Sequence, residues 1–334
     1  MPKMKRRITA AVLLSYALAA QACSGNASPS TLANGTTSAT SAAVPNPFTV
    51  VNTFTPESLG HGLEHILSLA VGPDRALYVT DVSQQVAVIS AQGEVLRQWG
   101  SRGSGPGEFR FVPHDPSDPF DILAKIAVAP DGTVYVTDYG NHRIQAFSPE
   151  GDFLDVVGSF GTGEGQLVDP NDPVVDEQGN LFVADDKLGM ISKFSQDGRF
   201  IWRVGGADGE VDPKTLSCGA YPGNMDAHGR LVVENGCGWV LYVNGDSGRV
   251  VDSFYSGTCD ATVDAAGYTY STGDVDGCRR DLTRVFDREH RLVGEWSGPD
   301  NPIEWPPRFD ANGDAFAVGV DGSIIRLSVS LPEA

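Results

Sequence analysis

One pattern of turn, β-rich run, acidic loop, second β-rich run and second turn recurs along this chain. The stretch "DGTVYVTDYGNHRIQAFSPEGDF" at residues 131–153 returns as "QGNLFVADDKLGMISKFSQDGRF" at residues 178–200. Repetition at this spacing indicates an array of equivalent structural units. Alignment on the first turn gives six copies, whose matching positions are Arg75, Gly132, Gly179, Gly229, Gly267 and Gly313.

Each copy contains segments typical of β-strands. In the second copy, "KIAVA" precedes the turn, and "TVYVTD", "RIQAF" and "FLDVV" follow it. Their β-branched and aromatic residues, punctuated by Gly, Asp and Asn, favour strands over helices. The pattern therefore predicts six sheets of four strands.

The sixth copy lacks a fourth segment, and a strand-like run without a repeat of its own, "PFTVVNTF" at 47–54, precedes the first copy. We expect this run to complete the last sheet, because a closed ring exposes only short, protected sheet edges. The predicted fold class is an all-β, six-bladed β-propeller over residues 47–334.

The first 46 residues have the composition of an export signal and a tether. Residues 1–22 combine the basic stretch "MPKMKRR" with the apolar stretch "ITAAVLLSYALAA" and small residues before Cys23, as a signal peptide does. The site around Cys23 resembles the lipobox of bacterial lipoproteins, which implies lipidation of that residue and a membrane-anchored protein of the cell envelope. Residues 23–46 are rich in Ser, Thr, Ala and Asn and are predicted to be a flexible tether. Ordinary cleavage after "AQA", which gives a secreted or periplasmic protein, is the alternative.

Four further cysteines, Cys218, Cys237, Cys259 and Cys278, can pair among themselves and leave Cys23 as the odd one. Three pairings are open, and we favour Cys218 with Cys237 and Cys259 with Cys278, since each closes a short loop. In the chain-entropy model each such disulfide contributes about 3 kcal/mol. The tight C-x-x-C spacing of a metal cluster is absent from the sequence.

The charge of the chain excludes some classes of partner. The formal net charge is −19, and the first 22 residues carry four basic groups and no acid, so their removal leaves −23. A chain this acidic is repelled by nucleic acids and by anionic lipid headgroups. We therefore predict no nucleic-acid partner.

The second and third copies carry motifs of a known family. "GSRGSGPGEFRF", "GSFGTGEGQLVDP" and "DGTVYVTDYGNHRIQAF" resemble NHL repeats, with Asn141, Arg143 and Ile144 at the pattern's Asn-x-Arg-Ile turn. The resemblance covers residues 60–330 and implies a six-bladed propeller. It does not imply one particular activity.

Propeller topology brings polar residues to one mouth of the central channel. Seven residues before each aligned turn, where the inner strand should begin, stand Ser68, Lys125, Asp172, Pro222, Asp260 and Pro306. Asn224 and Arg308 lie further along their strands, and His114 lies in an unusually long link at residues 100–121 on the same face. The predicted ligand-binding residues are His114, Lys125, Asp172, Asn224, Asp260 and Arg308. The alternative is that Lys125 and Asp172 form a structural pair and the others are solvated.

Similar propellers include zinc-dependent amidating lyases and calcium-dependent lactonases. A zinc site and a calcium site are therefore the two metal-site hypotheses for this chain. A zinc site needs converging histidines, and only His61, His65 and His114 could reach this mouth, so zinc is disfavoured. A calcium site could use Asp172, Asn224 and Asp260, which come from different blades. The recurring Asp81, Asp138 and Asp185 indicate turn capping rather than a ring of ligands.

These observations favour a binding or scaffolding module over an enzyme. The predicted partner is a protein, peptide or glycan of the cell envelope, bound by a monomer that requires no cofactor. The alternative is a metal-dependent lyase or hydrolase with its site at the channel mouth.

Overall fold

The computed structural model describes residues 44–112, 124–206, 214–216, 219–274 and 281–331. Within these ranges the chain forms six four-stranded antiparallel sheets. The predicted fold class, an all-β six-bladed propeller, is confirmed. The predictions for Cys23, His114, Cys218 and Cys278 fall on positions outside the described residues.

The strands of the first half follow the chain order of the repeats. They are β1 (Phe48–Phe54); β2 (Ile66–Val71), β3 (Leu77–Asp81), β4 (Gln85–Ile89) and β5 (Val95–Trp99) in blade 1; β6 (Ser101–Arg102) and β7 (Glu108–Phe109) in the following link; β8 (Ile126–Val128), β9 (Val134–Asp138), β10 (Arg143–Phe147) and β11 (Phe153–Val157) in blade 2; and β12 (Pro170–Val175), β13 (Leu181–Asp185), β14 (Met190–Phe194) and β15 (Phe200–Gly205) in blade 3. A short helix, α1 (Pro56–Leu59), follows β1, and a 3₁₀ turn, Tyr139–Asn141, follows β9. In the described part of the chain, no helical segment has the length and hydropathy of a membrane span.

The second half repeats the arrangement with a shorter last inner strand. The strands are β16 (Tyr221–Met225), β17 (Arg230–Glu234), β18 (Trp239–Asn244) and β19 (Val250–Tyr255) in blade 4; β20 (Asp260–Val263), β21 (Thr269–Thr272), β22 (Leu282–Phe286) and β23 (Leu292–Ser297) in blade 5; and β24 (Arg308–Phe309), β25 (Ala315–Val318) and β26 (Ile324–Val329) in blade 6.

The predicted closure of the ring is present. β1 pairs antiparallel with β26, and Phe48 lies opposite Val329 while Phe54 lies opposite Ile324. The sheet order β1-β26-β25-β24 makes the first strand of the domain the outer strand of blade 6. The last blade therefore obtains its fourth strand from the other end of the domain, and this strand pairs the outer edge of β26.

The core lies between the blades. Every apolar cluster among the described residues joins two neighbouring blades, because each sheet has an apolar face toward the next. One cluster packs Ile66 and Leu77 of blade 1 against Phe316 and Ile324 of blade 6. The ring is thus held by packing at its closing seam as well as by the pairing of β1 with β26.

The link after blade 1 is folded onto the ring rather than standing free of it. β6 and β7 form a small parallel pair, and Phe109 is fully buried. Arg143 Nη2 donates to Gly105 O at 2.8 Å, and Gln145 Nε2 donates to Glu108 O at 2.8 Å. The link therefore packs on the ring through Phe109 and these hydrogen bonds, a contact that the sequence pattern did not predict.

Candidate functional site

The inner strands begin around a small cavity at one mouth of the channel. Its lining includes all six positions predicted from the repeat register: Ser68, Lys125, Asp172, Pro222, Asp260 and Pro306. Arg308 and Trp305 also line it, and its volume is about 30 Å³. At roughly 10–15 Å³ for each enclosed water, this space holds two or three water molecules.

The ammonium group of Lys125 is already engaged by protein groups. It lies 3.4 Å from the centre of the Trp305 ring, which provides a cation–π contact from blade 6. Its Nζ is 3.8 Å from Asp172 Oδ1 in the adjoining blade 3. The structural pairing of Lys125 with Asp172, which the sequence left as an alternative, is therefore present.

Asp172 is presented to the mouth by an irregularity in its strand. Its φ is 38°, and the pairing of β12 with β13 shifts register between Asn171 and Val174. Such a bulge can redirect a side chain out of the regular alternation, and Asp tolerates the left-handed region better than most residues. Burial raises the pKa of Asp172, while Lys125 and Arg308 act in the opposite direction. The two cations therefore favour the ionised form of a carboxyl group that burial disfavours.

Arg308 is the cation of the mouth that lacks a hydrogen-bonding partner among the described residues. Its Nη1 is buried and donates to no acceptor. Burial inside the ring lowers the pKa of Arg308, and the neighbouring Asp172 and Asp260 offset this effect. Since a guanidinium group carries five N–H donors in a fixed plane, it can still receive an acceptor from the channel.

Glu234, at the end of β17, is a buried acid next to the mouth. Burial raises the pKa of Glu234 well above its ordinary value, and the charge of Asp260 adds to that rise. The backbone N–H groups of Gly236 and Gly238 donate to its carboxyl oxygens at 2.8 and 3.0 Å. These two hydrogen bonds favour the ionised form of Glu234 and oppose the effect of burial on its pKa.

Asn224 is directed at the next blade. Its Nδ2 donates to Val263 O at 2.7 Å, and its Oδ1 accepts from Val263 N at 2.9 Å. The side chain does not belong to the cavity lining. Of the predicted binding residues, the structure therefore brings together Lys125, Asp172, Asp260 and Arg308 and directs Asn224 to a seam between blades.

The recurring aspartates at the ends of second strands cap turns, as the sequence indicated. Asp81 accepts from the backbone N–H groups of Glu64 and His65 at 3.0 and 2.8 Å. Asp138 accepts from Arg110 N at 2.8 Å, and Asp185 accepts from Val168 N at 2.7 Å. Each carboxylate thereby fixes the link that enters its own blade.

His228 and His290 each contact a residue of blade 4. His228 contacts Asp226 at 3.7 Å, and His290 stacks on Phe254 at 4.4 Å between ring centres. Within the described ranges, no three His, Cys, Asp or Glu side chains form a cluster of metal-ligand type.

Two residues of the site escaped the sequence reasoning. Trp305 stands in an irregular link, and no periodic signal marks it. Glu234 occupies the strand-end position of Asp81, Asp138 and Asp185, and its longer side chain at this position is the signal that could have drawn attention to it.

Part of the chain matches a known repeat. Residues 120–147 match the NHL repeat, and this segment includes β8, β9 and β10 of blade 2. No curated protein matches the chain in sequence.

Two solved structures share the architecture at low identity. A streptogramin B lyase has 10% identity and a TM-score of 0.56, with 85% of this chain and 98% of that chain covered. A gluconolactonase from Xanthomonas campestris has 17% identity and a TM-score of 0.54, with 82% and 88% covered. The sheet topology makes the chain a six-bladed β-propeller, and one of its blades contains a segment that matches the NHL repeat.

Proposed function

We propose that this propeller is an extracytoplasmic, lipid-anchored binding or scaffolding module. It presents the face around the channel mouth to a protein, peptide or glycan of the cell envelope. The observation that carries this proposal is the small, internally engaged mouth, where Trp305 and Asp172 contact the Lys125 ammonium.

The size of the cavity favours recognition of a large partner across the surface that surrounds the mouth. A volume of about 30 Å³ accommodates a few water-sized groups, whereas pockets that enclose a small-molecule substrate measure roughly 300–1,000 Å³. A large partner can instead contact the links and turns that surround the mouth. Long loops on a rigid scaffold commonly bear such contacts.

The strand register supports an orientation for the anchored protein. Arg308, at the mouth, lies opposite Phe316, whereas Phe48 lies opposite Val329, near the other end of blade 6. With lipid on Cys23 and residues 23–46 as a tether, the chain would enter the ring at the end remote from the mouth. The binding face would then point away from the membrane.

The experiment is capture of a partner from envelope extracts by the purified, lipidated chain, followed by reconstitution with the purified partner. Residues 113–120 should be exchanged for a Gly/Ser sequence of equal length, because removal of the whole link would also remove the buried Phe109. The matched control is His228→Ala in a turn on the opposite face, where the side chain is 78% exposed. Saturable binding that the exchange abolishes and His228→Ala preserves supports the proposal. Binding that survives the exchange overturns the assignment of the face.

A metal-dependent lyase or hydrolase is the second candidate, and the charge cluster at the mouth favours it. Asp172, Glu234 and Arg308 all have pKa values shifted by burial, as groups in active sites often do. Elemental analysis of the purified protein tests this candidate. Stoichiometric calcium or zinc that is lost in Asp172→Ala, with the fold retained, would favour the enzyme.

A further inference from the structure

The two cations of the channel mouth, Lys125 and Arg308, differ in how far the protein satisfies them. Lys125 has an aromatic ring and a carboxylate beside it. Arg308 has charged neighbours but, among the described residues, no hydrogen-bond acceptor for its buried Nη1. An unsatisfied buried donor is costly in a native protein and calls for an acceptor supplied by water or by a ligand.

The cavity beside Arg308 has the size of a small acceptor group. Its volume of about 30 Å³ corresponds to two or three water molecules. A carboxylate, with one carbon and two oxygens, occupies a similar space and matches the planar donor pattern of a guanidinium group. The remainder of the ligand would extend outward through the open mouth.

The acidic neighbours determine what else the ligand must carry. Asp172 and Asp260 act on Arg308 electrostatically, and both line the same cavity. With Lys125 and Arg308 charged, the mouth has a formal charge close to zero. A simple anion could therefore accept hydrogen bonds from Arg308, but the two carboxylates would repel it. A ligand with an ammonium group next to its carboxylate would satisfy both signs.

We propose that the channel mouth binds the zwitterionic head group of a free α-amino acid. The α-carboxylate accepts hydrogen bonds from Arg308, the α-ammonium group donates to Asp172, and the amino-acid side chain points out of the ring. Trp305 holds Lys125 to one side, so that Arg308 is the cation left for the carboxylate. This site is additional to the partner-binding face and does not depend on it.

The backbone at Asp172 supports a positioned acceptor. Its φ of 38° lies in a register shift of β12, and this local irregularity places the carboxylate at the strand end that lines the mouth. Asp260 lines the same cavity and adds negative charge near the site of the ammonium group.

The test is calorimetric titration of the full mature chain with glycine and L-alanine. Acetate and N-acetylglycine lack the ammonium group, and glycine methyl ester lacks the carboxylate, so they serve as probes of each half. Glycine and alanine should bind with similar affinity, and each probe should bind about tenfold more weakly or worse, because a charged hydrogen-bonding partner is lost. Equal affinity for acetate and glycine, or no binding of either amino acid, overturns the proposal.

Variants locate the site. Arg308→Met and Asp172→Asn should each weaken glycine binding about tenfold or more. Arg199→Met, at a side chain that is 84% exposed, is the matched control and should leave binding unchanged. If Arg308→Met does not fold, Arg308→Lys, which keeps the charge and loses the planar donor pair, replaces it. Undiminished glycine binding in a folded Arg308 variant contradicts the assignment. Partner capture should persist in these variants, so failure of one proposal is distinguishable from failure of the other.

Discussion

The side chain of Asn224 in blade 4 forms two hydrogen bonds with the backbone of one residue in blade 5, Val263. Nδ2 donates to its carbonyl at 2.7 Å, and Oδ1 accepts from its N–H at 2.9 Å. The amide thus links two inner strands of neighbouring blades, as a pair of backbone hydrogen bonds links strands within a sheet.

Asn224→Asp should lower the free energy of unfolding by about 2 kcal/mol, because the new side chain cannot donate and leaves the Val263 carbonyl without that partner. Denaturant unfolding monitored by fluorescence measures the effect. Asn52→Ala, at an exposed outer-strand residue whose side chain accepts from the adjacent Thr53 N–H, is the control and should change stability by less than about 0.5 kcal/mol. Equal losses of unfolding free energy in the two variants would show that Asn224 does not bridge the blades.

Gly223 permits the close approach of the same two blades. A Cβ atom at this position would meet the Ala261 carbonyl oxygen at 1.7 Å. Gly223→Ala should therefore force the strands apart and cost about 3 kcal/mol or more. Gly229→Ala, where the added atom meets nothing within 4 Å and only the φ of 70° is unfavourable, should cost about 1 kcal/mol. Melting temperatures of the two variants provide the comparison, and a milder effect at Gly223 would contradict the tight seam.

Closure of the ring depends on Phe48. Its ring lies 6.2 Å from Tyr270 and 6.0 Å from Trp296, and the residue is 5% exposed. Phe48→Ala should cost about 3–5 kcal/mol. Val51→Ala on the same strand, at a residue that is 55% exposed, should cost about 0.5 kcal/mol or less. Similar losses in chemical denaturation would mean that β1 does not stabilise the ring through this contact.

The raised pKa of Glu234 predicts a dependence of stability on pH. The folded state binds this proton more tightly than the unfolded state, so the contribution is fully present below the ordinary value of 4.5. It is lost as the pH rises through the higher pKa of the folded state. Glu234→Gln should therefore gain stability relative to the wild type as the pH rises. Unfolding free energies of both proteins at several pH values between 4 and 8 measure this difference, and parallel curves would show that Glu234 ionises normally.

The predicted disulfides can be tested by peptide mapping under non-reducing conditions. We expect links from Cys218 to Cys237 and from Cys259 to Cys278. Cys237→Ser should lower the unfolding free energy by about 3 kcal/mol in the chain-entropy model. A mapped link between Cys218 and Cys278 would overturn the intrablade pairing.

Much of the architecture could be predicted from residues alone, whereas the contacts of the site could not. The position seven residues before each turn predicted the lining of the mouth from Ser68 to Pro306. The same reasoning grouped Asn224 with the mouth, but its amide bonds to Val263. Repeat register specifies the strand and the level of a residue, and it does not specify which neighbouring blade comes close enough to bind the side chain.

By itself, the sequence determined the number of blades, their strand order and the closure by residues 47–54, because alternating apolar runs and Gly turns are local signals repeated six times. The tertiary structure decided how the charges of the mouth are satisfied. Trp305 over Lys125, the bulge at Asp172 and the unpaired donor of Arg308 arise where separate blades converge on the channel. Such contacts depend on distances of a few ångströms between residues far apart in the chain, and no local pattern encodes those distances.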